Sequence, residues 1–148
     1  MRAPLIATAS LCAVLAVEAA AHSGATGIVK ERMDGMKAMS NATKALGAAK
    51  AGVVPFSPEL IARAAAELRS HAEAAKTLFP ENSATGPSEA LPVIWTDREG
   101  FDALLDDLIR AADQLDAAAG DEAAANVAAD AVAKTCKDCH AKYREKKL

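Results

Sequence analysis

The sequence predicts an all-α protein, an up-down-up-down antiparallel four-helix bundle. Alanine and leucine dominate it and aromatic residues make up only 3% of the chain, so few side chains favour a strand. Apolar residues recur at helical spacing in four segments. Turn residues interrupt the chain at three places, leaving helices of about 20 to 25 residues with short joins at two of the three connections.

The first helix runs from about Ile28 to Lys50, with Gly52 and Pro55 beyond its end. Val29, Met33, Met36, Ser40, Thr43 and Gly47 share one side, flanked by Met39 and Leu46. Asn41, Thr43 and two glycines make its propensity mediocre, so packing must hold it. Ser57-Pro58-Glu59 starts the second helix with a capping serine and a proline at the first helical position. Its apolar stripe is Ile61, Ala64, Ala65, Leu68, Ala72, Ala75 and Phe79, closed by Pro80. Residues 80–96 read as a loop with three prolines and Gly86, long for a compact domain. Leu91, Val93, Ile94 and Trp95 tuck its second half against the bundle, with Trp95 as the anchor. The third helix begins near Asp97 and turns Phe101, Leu104, Leu105, Leu108, Ile109, Ala112 and Leu115 inward. Asp102, Asp106, Asp107, Asp113 and Asp116 form its solvated outer face. Gly120 separates it from the fourth helix, roughly Asp121 to Glu145.

At the N-terminus, Arg2 precedes an apolar run from Leu5 to Val17 that ends in Glu18-Ala19-Ala20-Ala21. A basic start, a short apolar stretch and a small-x-small triplet read as a secretory signal peptide, residues 1–21, with cleavage after Ala21. The run is too short to span a bilayer. Residues 22–148 then form a single domain holding two cysteines, Cys12 having left with the leader. The net charge of −3 and the scarcity of aromatics argue against nucleic acid as a partner. No later segment is long and apolar enough to be a membrane helix.

The chemistry lies in Cys136-Lys137-Asp138-Cys139-His140. Two cysteines three apart and followed directly by histidine are the pattern for covalent haem attachment. On one helical turn both thiols reach the two vinyl-derived carbons of one porphyrin, and the adjacent imidazole lies under the iron. One haem c is therefore expected, with Cys136 and Cys139 as thioethers and His140 as axial ligand. Its attachment outside the bacterial cytoplasm agrees with the leader and places the protein in a periplasm. Competing readings are weaker. A thioredoxin-like redox pair needs a βαβ context absent here, and zinc needs more ligands than these cysteines with His22, His71 and His140 supply readily.

In an up-down-up-down bundle the first and fourth helices are antiparallel neighbours, so the haem is expected between them. His140 lies eight residues before Leu148 and Met36 eight after Ile28. At about 1.5 Å per residue both stand roughly 12 Å from one end, which makes Met36 the expected sixth ligand. Met33 and Met39, one turn to either side, are the alternatives if the register slips. Methionine is also ordinary core filling, and His71, at the edge of the second stripe, reads as a core-edge histidine.

These features resemble a class II c-type cytochrome, the cytochrome c-prime family, over essentially the whole mature chain. The resemblance rests on Arg32 with Met36, Leu78-Phe79-Pro80, Leu91-Pro92-Val93-Ile94-Trp95, and the haem motif followed by Tyr143-Arg144. It implies that Arg32 lies near a haem propionate and Arg144 beside the proximal face. In the family's low-spin branch, a methionine at the place of Met36 closes the iron, and the protein is an electron carrier. In its high-spin branch the sixth position is empty and shielded, and the protein binds nitric oxide or carbon monoxide; some of these also carry methionine there. The sequence favours the carrier, a protein with no substrate chemistry of its own, exchanging single electrons with redox partner proteins. Lys134, Lys137, Lys142, Arg144, Lys146 and Lys147 crowd the last helix. They read equally as complements to the helix dipole or as a basic ring that steers an acidic partner. The family includes monomers and dimers, and the first helix is a candidate homodimer surface.

Overall fold

The structure, a computed structural model, describes residues 24–146. Five helices follow in order: α1 Gly27–Lys50, α2 Pro58–Ala75, α3 Val93–Thr96, α4 Arg98–Ala117 and α5 Glu122–Tyr143. Among the described residues there is no strand, only an isolated bridge between Ala90 and Arg144. Helices α1, α2, α4 and α5 are the expected four-helix bundle. Each packs on the next, and the α1–α5 seam that closes the ring is the loosest. The proposed leader, residues 1–21, lies outside the described residues, as do Cys12, His22, Lys147 and Leu148.

Local chemistry accounts for the helix starts. The Ser57 hydroxyl accepts from Leu60 N at 3.1 Å, with Pro58 in the first turn. Asp121 does the same for Ala124 N at 3.0 Å and opens α5. The second helix stops at Ala75, earlier than its apolar stripe suggests. Arg98, entering α4, donates to the carbonyls of Lys76 and of Phe79, the latter at 3.0 Å, and so takes acceptors a longer helix would use. The 80–96 segment is a loop that also holds a helical turn, α3. That turn buries Ile94, and Trp95 Nε1 donates to Pro80 O at 2.8 Å, so the tryptophan anchors the loop.

The core has two parts. The larger runs along the bundle through Leu46, Leu68, Leu108, Leu115 and Val132, with alanines that let the helices approach closely. The smaller, at the haem-motif end, contains Phe79, Ile94, Phe101 and Tyr143. Two expectations need correction. Helix α1 buries Val29, Arg32, Met39, Ala42, Leu46 and Ala49, not the predicted Ser40 and Gly47, which are exposed. Its methionines pulled the inferred stripe toward the half-buried side of Met33, Met36 and Thr43, whereas the buried face carries Ala42 and Ala49 beside Met39 and Leu46. The aspartates of α4 are also more than a solvated face. Arg69 pairs with Asp113 at 2.7 Å and Asp116 at 3.4 Å, and Lys76 pairs with Asp106, tying α2 to α4.

Candidate haem site

Helix α5 presents Cys136 and Cys139 one turn apart, both half-buried and free. Cys136 borders the larger cluster and Cys139 the smaller. Burial raises both thiol pKa values, that of Cys139 to about 11, so both are neutral at pH 7. His140 is exposed and lines an open cavity of about 390 Å³ with Arg144, Glu145 and Lys146. Desolvation and the charge of Arg144 pull its pKa down, against a smaller opposite pull from Glu89. The neutral imidazole, the form that binds a metal, therefore prevails at pH 7.

Met36, on α1, borders both clusters and so shares its surroundings with both cysteines. Met39 is 6% exposed within the larger cluster, where it serves as packing, and Met33 belongs to neither cluster. Counting from Leu148 puts Met36 level with His140 only if the last helix reaches the chain end; α5 stops at Tyr143, and residues 144–146 leave the helix. An exposed Lys50–Asp130 ion pair, at 2.5 Å, joins α1 to α5.

Arg32 is the site residue whose environment asks for a ligand. It is 5% exposed, and its Nη2 donates to Ser83 O. Its guanidinium carbon lies 4.6 Å from the Phe79 ring centroid. Among the described residues, its buried Nε and Nη1 have no partner. A buried cation with two unused N–H groups is costly unless an anion meets it. A haem carboxylate is such an anion. With the thiol pair, the neutral imidazole and the loose α1–α5 seam, the residues present fit a covalently held haem.

His71 is the half-buried, core-edge histidine that the sequence indicates, and it shares a small void of about 10 Å³ with Arg32, Gly35, Met36 and Met39. Its Nδ1 lies 3.4 Å from where a Gly35 Cβ would stand, and its Nε2 is 3.3 Å from Glu67 Oε2. Arg144 lines the His140 cavity, and its Nε donates to Glu89 Oε2 at 2.7 Å. The basic residues around the motif are partly neutralised: Lys134 pairs with Asp138 at 2.6 Å, Lys142 with Asp97 at 2.5 Å, and Arg144 with Glu89. Among the described residues, no cluster of three or more histidine, cysteine or acidic side chains could hold a metal ion.

The last turn of α5 is tied to α4 through Asp97. Hydrogen bonds from Lys142 and Tyr143 hold its carboxyl below the usual aspartate range. Its stabilising contribution is therefore complete above the ordinary aspartate pKa of about 4, and fades as pH falls through its lower folded value. Unfolding midpoints measured from pH 7 down to pH 2 should fall more steeply below about pH 4 in the native protein than in Asp97→Asn.

Fold and site together define a c-type cytochrome built on a four-helix bundle. A family model described as Cytochrome C′ matches residues 27–144, and the chain belongs to that family. The cytochrome c′ of Rhodopseudomonas palustris is 32% identical, over 82% of this chain and 84% of the relative. Cytochrome c-556 of Agrobacterium tumefaciens (strain B2A) is 34% identical over 82% of this chain and 99% of its own. A solved structure of cytochrome c′ from Rhodopseudomonas palustris superposes with a TM-score of 0.76 at 34% identity, covering 84% of this chain and all of that one. The cytochrome c′ of Rubrivivax gelatinosus gives 0.73 at 30% identity, over 80% of this chain and 94% of that one. The family carries covalently attached haem, so haem c is the cofactor of this chain. No helix among the described residues is long and apolar enough to cross a membrane.

Proposed function

We propose that this is a periplasmic monohaem cytochrome whose iron is bound by His140 and open on its other face, where it takes up nitric oxide or carbon monoxide. Cys136 and Cys139 tether the porphyrin, Arg32 meets a propionate, and Arg144 lies beside the proximal face. Met36 shields the open position without bonding the metal. The family membership carries this reading, since cytochromes c′ are typically high-spin. A related protein, the L16A mutant of Alcaligenes xylosoxidans cytochrome c prime, has been solved as its nitric oxide complex; it is 26% identical, with a TM-score of 0.74.

When bound, the haem supplies an iron that takes a diatomic ligand or one electron. The chain's own residues do the rest. The alanine-lined bundle excludes water, and Arg32 neutralises a carboxylate in an apolar setting. The thioether pair fixes the porphyrin where the imidazole can reach it. A second reading, the low-spin electron carrier serving redox partner proteins, is favoured by one observation: Met36 stands where the environments of both cysteines meet.

The absorption spectrum with and without carbon monoxide separates the two. A high-spin spectrum that shifts on adding the gas is expected, and Met36→Ala should raise the carbon monoxide association rate at least tenfold. A low-spin spectrum with the weak far-red sulfur-to-iron band, converted to high-spin by Met36→Ala, would establish the carrier instead.

A further inference from the structure

We propose that Asp97 and Tyr143 are positioning residues for the proximal histidine, and that Gly100 provides the space their contact requires. This rests on the reading of His140 as the iron ligand. Tyr143 follows His140 by three residues and Cys139 by four, so its side chain shares a helix face with the second cysteine. Both belong to the smaller cluster, where Tyr143 is 2% exposed and stacks edge-on against Phe101 at 5.3 Å.

A phenol this deep needs a partner. Tyr143 Oη donates to Asp97 Oδ2 at 2.5 Å, and Lys142 Nζ lies 2.5 Å from the same oxygen. Asp97 is the residue before α4, the place of a capping side chain, and the Gly100 backbone N–H adds a small share to the lowering of its pKa. Its carboxylate also reaches across to α5. Gly100 lies beneath that contact. A Cβ there would stand 2.6 and 2.8 Å from the Asp97 oxygens and 2.7 Å from the tyrosine oxygen, distances real Cβ atoms do not show. The opposite flank of the turn is held by backbone: Leu91 N donates to Tyr143 O at 3.0 Å and Glu145 N to Glu89 O at 2.8 Å.

The last turn of a helix ordinarily frays because its carbonyls lack intrahelical partners. Here that turn carries the residue that must hold iron, and it is fixed from two sides, by α4 and by the 89–91 segment. A ligand held by a wandering turn would bond at a spread of distances and angles; a clamped turn sets one. Asp97 and Tyr143 thus act on the iron through His140.

The test uses the haem-loaded full chain and three variants. Tyr143→Phe removes the hydroxyl and keeps the ring packing. Gly100→Ala forces the phenol and carboxylate apart while keeping both. Asp97→Asn loses the charge but retains an oxygen that accepts from the phenol. Resonance Raman of the ferrous protein reads the iron–histidine stretch. It should broaden and move to lower frequency in Tyr143→Phe and Gly100→Ala, and stay near native in Asp97→Asn. A native-like band in Tyr143→Phe, with only the unfolding midpoint lowered, would overturn the proposal and leave a purely structural contact. If the native protein proves six-coordinate, the open-face reading falls by itself. The midpoint potential then decides the positioning role: it should shift in Tyr143→Phe and hold in Asp97→Asn, and no shift in Tyr143→Phe refutes it.

Discussion

Replacing both Cys136 and Cys139 with alanine should abolish covalent haem, so that acidified organic solvent strips all pigment from the protein. A thioether forms when a thiol S–H adds across a vinyl double bond, and the variant has no sulfur left for this at either position. The effect should extend beyond colour. The α1–α5 seam is the loosest contact of the bundle, and among the described residues two Arg32 nitrogens, buried near Phe79 and Ser83, have no partner. Without the porphyrin this end keeps an unfilled crevice and an uncompensated cation, each worth on the order of a few kcal/mol. The double variant should therefore unfold at least about 10 °C below the native haem protein, given a shift of about 4–8 °C per kcal/mol for a domain near this size. Intact mass after expression with haem-attachment machinery checks the first outcome, and thermal unfolding followed by circular dichroism checks the second. Native-like pigment retention after solvent extraction would refute the assignment of the two thiols.

How far the sequence revealed this site depended on the kind of signal each residue carried. The haem motif was legible because three residue types at fixed local spacing specify one chemistry on one helical turn. The stripe of α2 was legible because leucine, isoleucine and phenylalanine mark a buried face, and every member of the predicted stripe is buried. Helix α1 was read from its methionines and so rotated, because alanine carries little hydropathy signal although it permits the closest helix approach. The burial of Arg32 was hidden for a related reason. A charged side chain is expected at the surface, and only the tertiary placement of Phe79 and Ser83 shows that it lies inside.

The relation between Met36 and His140 shows the same limit. Counting from the chain end assumes that the last helix reaches it. The pairing of residues 89–91 with 143–145 ends the helix at Tyr143, and that pairing involves a loop distant in sequence. Non-local backbone contacts therefore decide where the last helix ends. They also fixed the turn that carries the ligand. The sequence held the residues for both effects, but Asp97 read only as the start of the third helix and Gly100 carried no signal.

Phe101→Ala is expected to be among the most damaging single core substitutions, at about 3–5 kcal/mol. The ring is 2% exposed and meets Phe79 at 4.8 Å and Tyr143 at 5.3 Å, both edge-on. Aromatic pairs of this kind add roughly 0.5–1.5 kcal/mol each beyond buried area. The three rings come from the segment that follows α2, from α4 and from the haem turn of α5, so one truncation loosens three parts of the fold. Leu115→Ala is the informative control. Leu115 is 0% exposed in the larger cluster near the far end of α4, and its loss should cost about 2–5 kcal/mol. Denaturant unfolding of the two haem-loaded variants should show comparable destabilisation. The visible spectrum should differ, with a shifted or broadened Soret band in Phe101→Ala, whose ring supports Tyr143 and Cys139, and a native band in Leu115→Ala. Equal spectra would show that the aromatic cluster stabilises the bundle without shaping the haem environment. A shift confined to Phe101→Ala would show that one group of side chains does both.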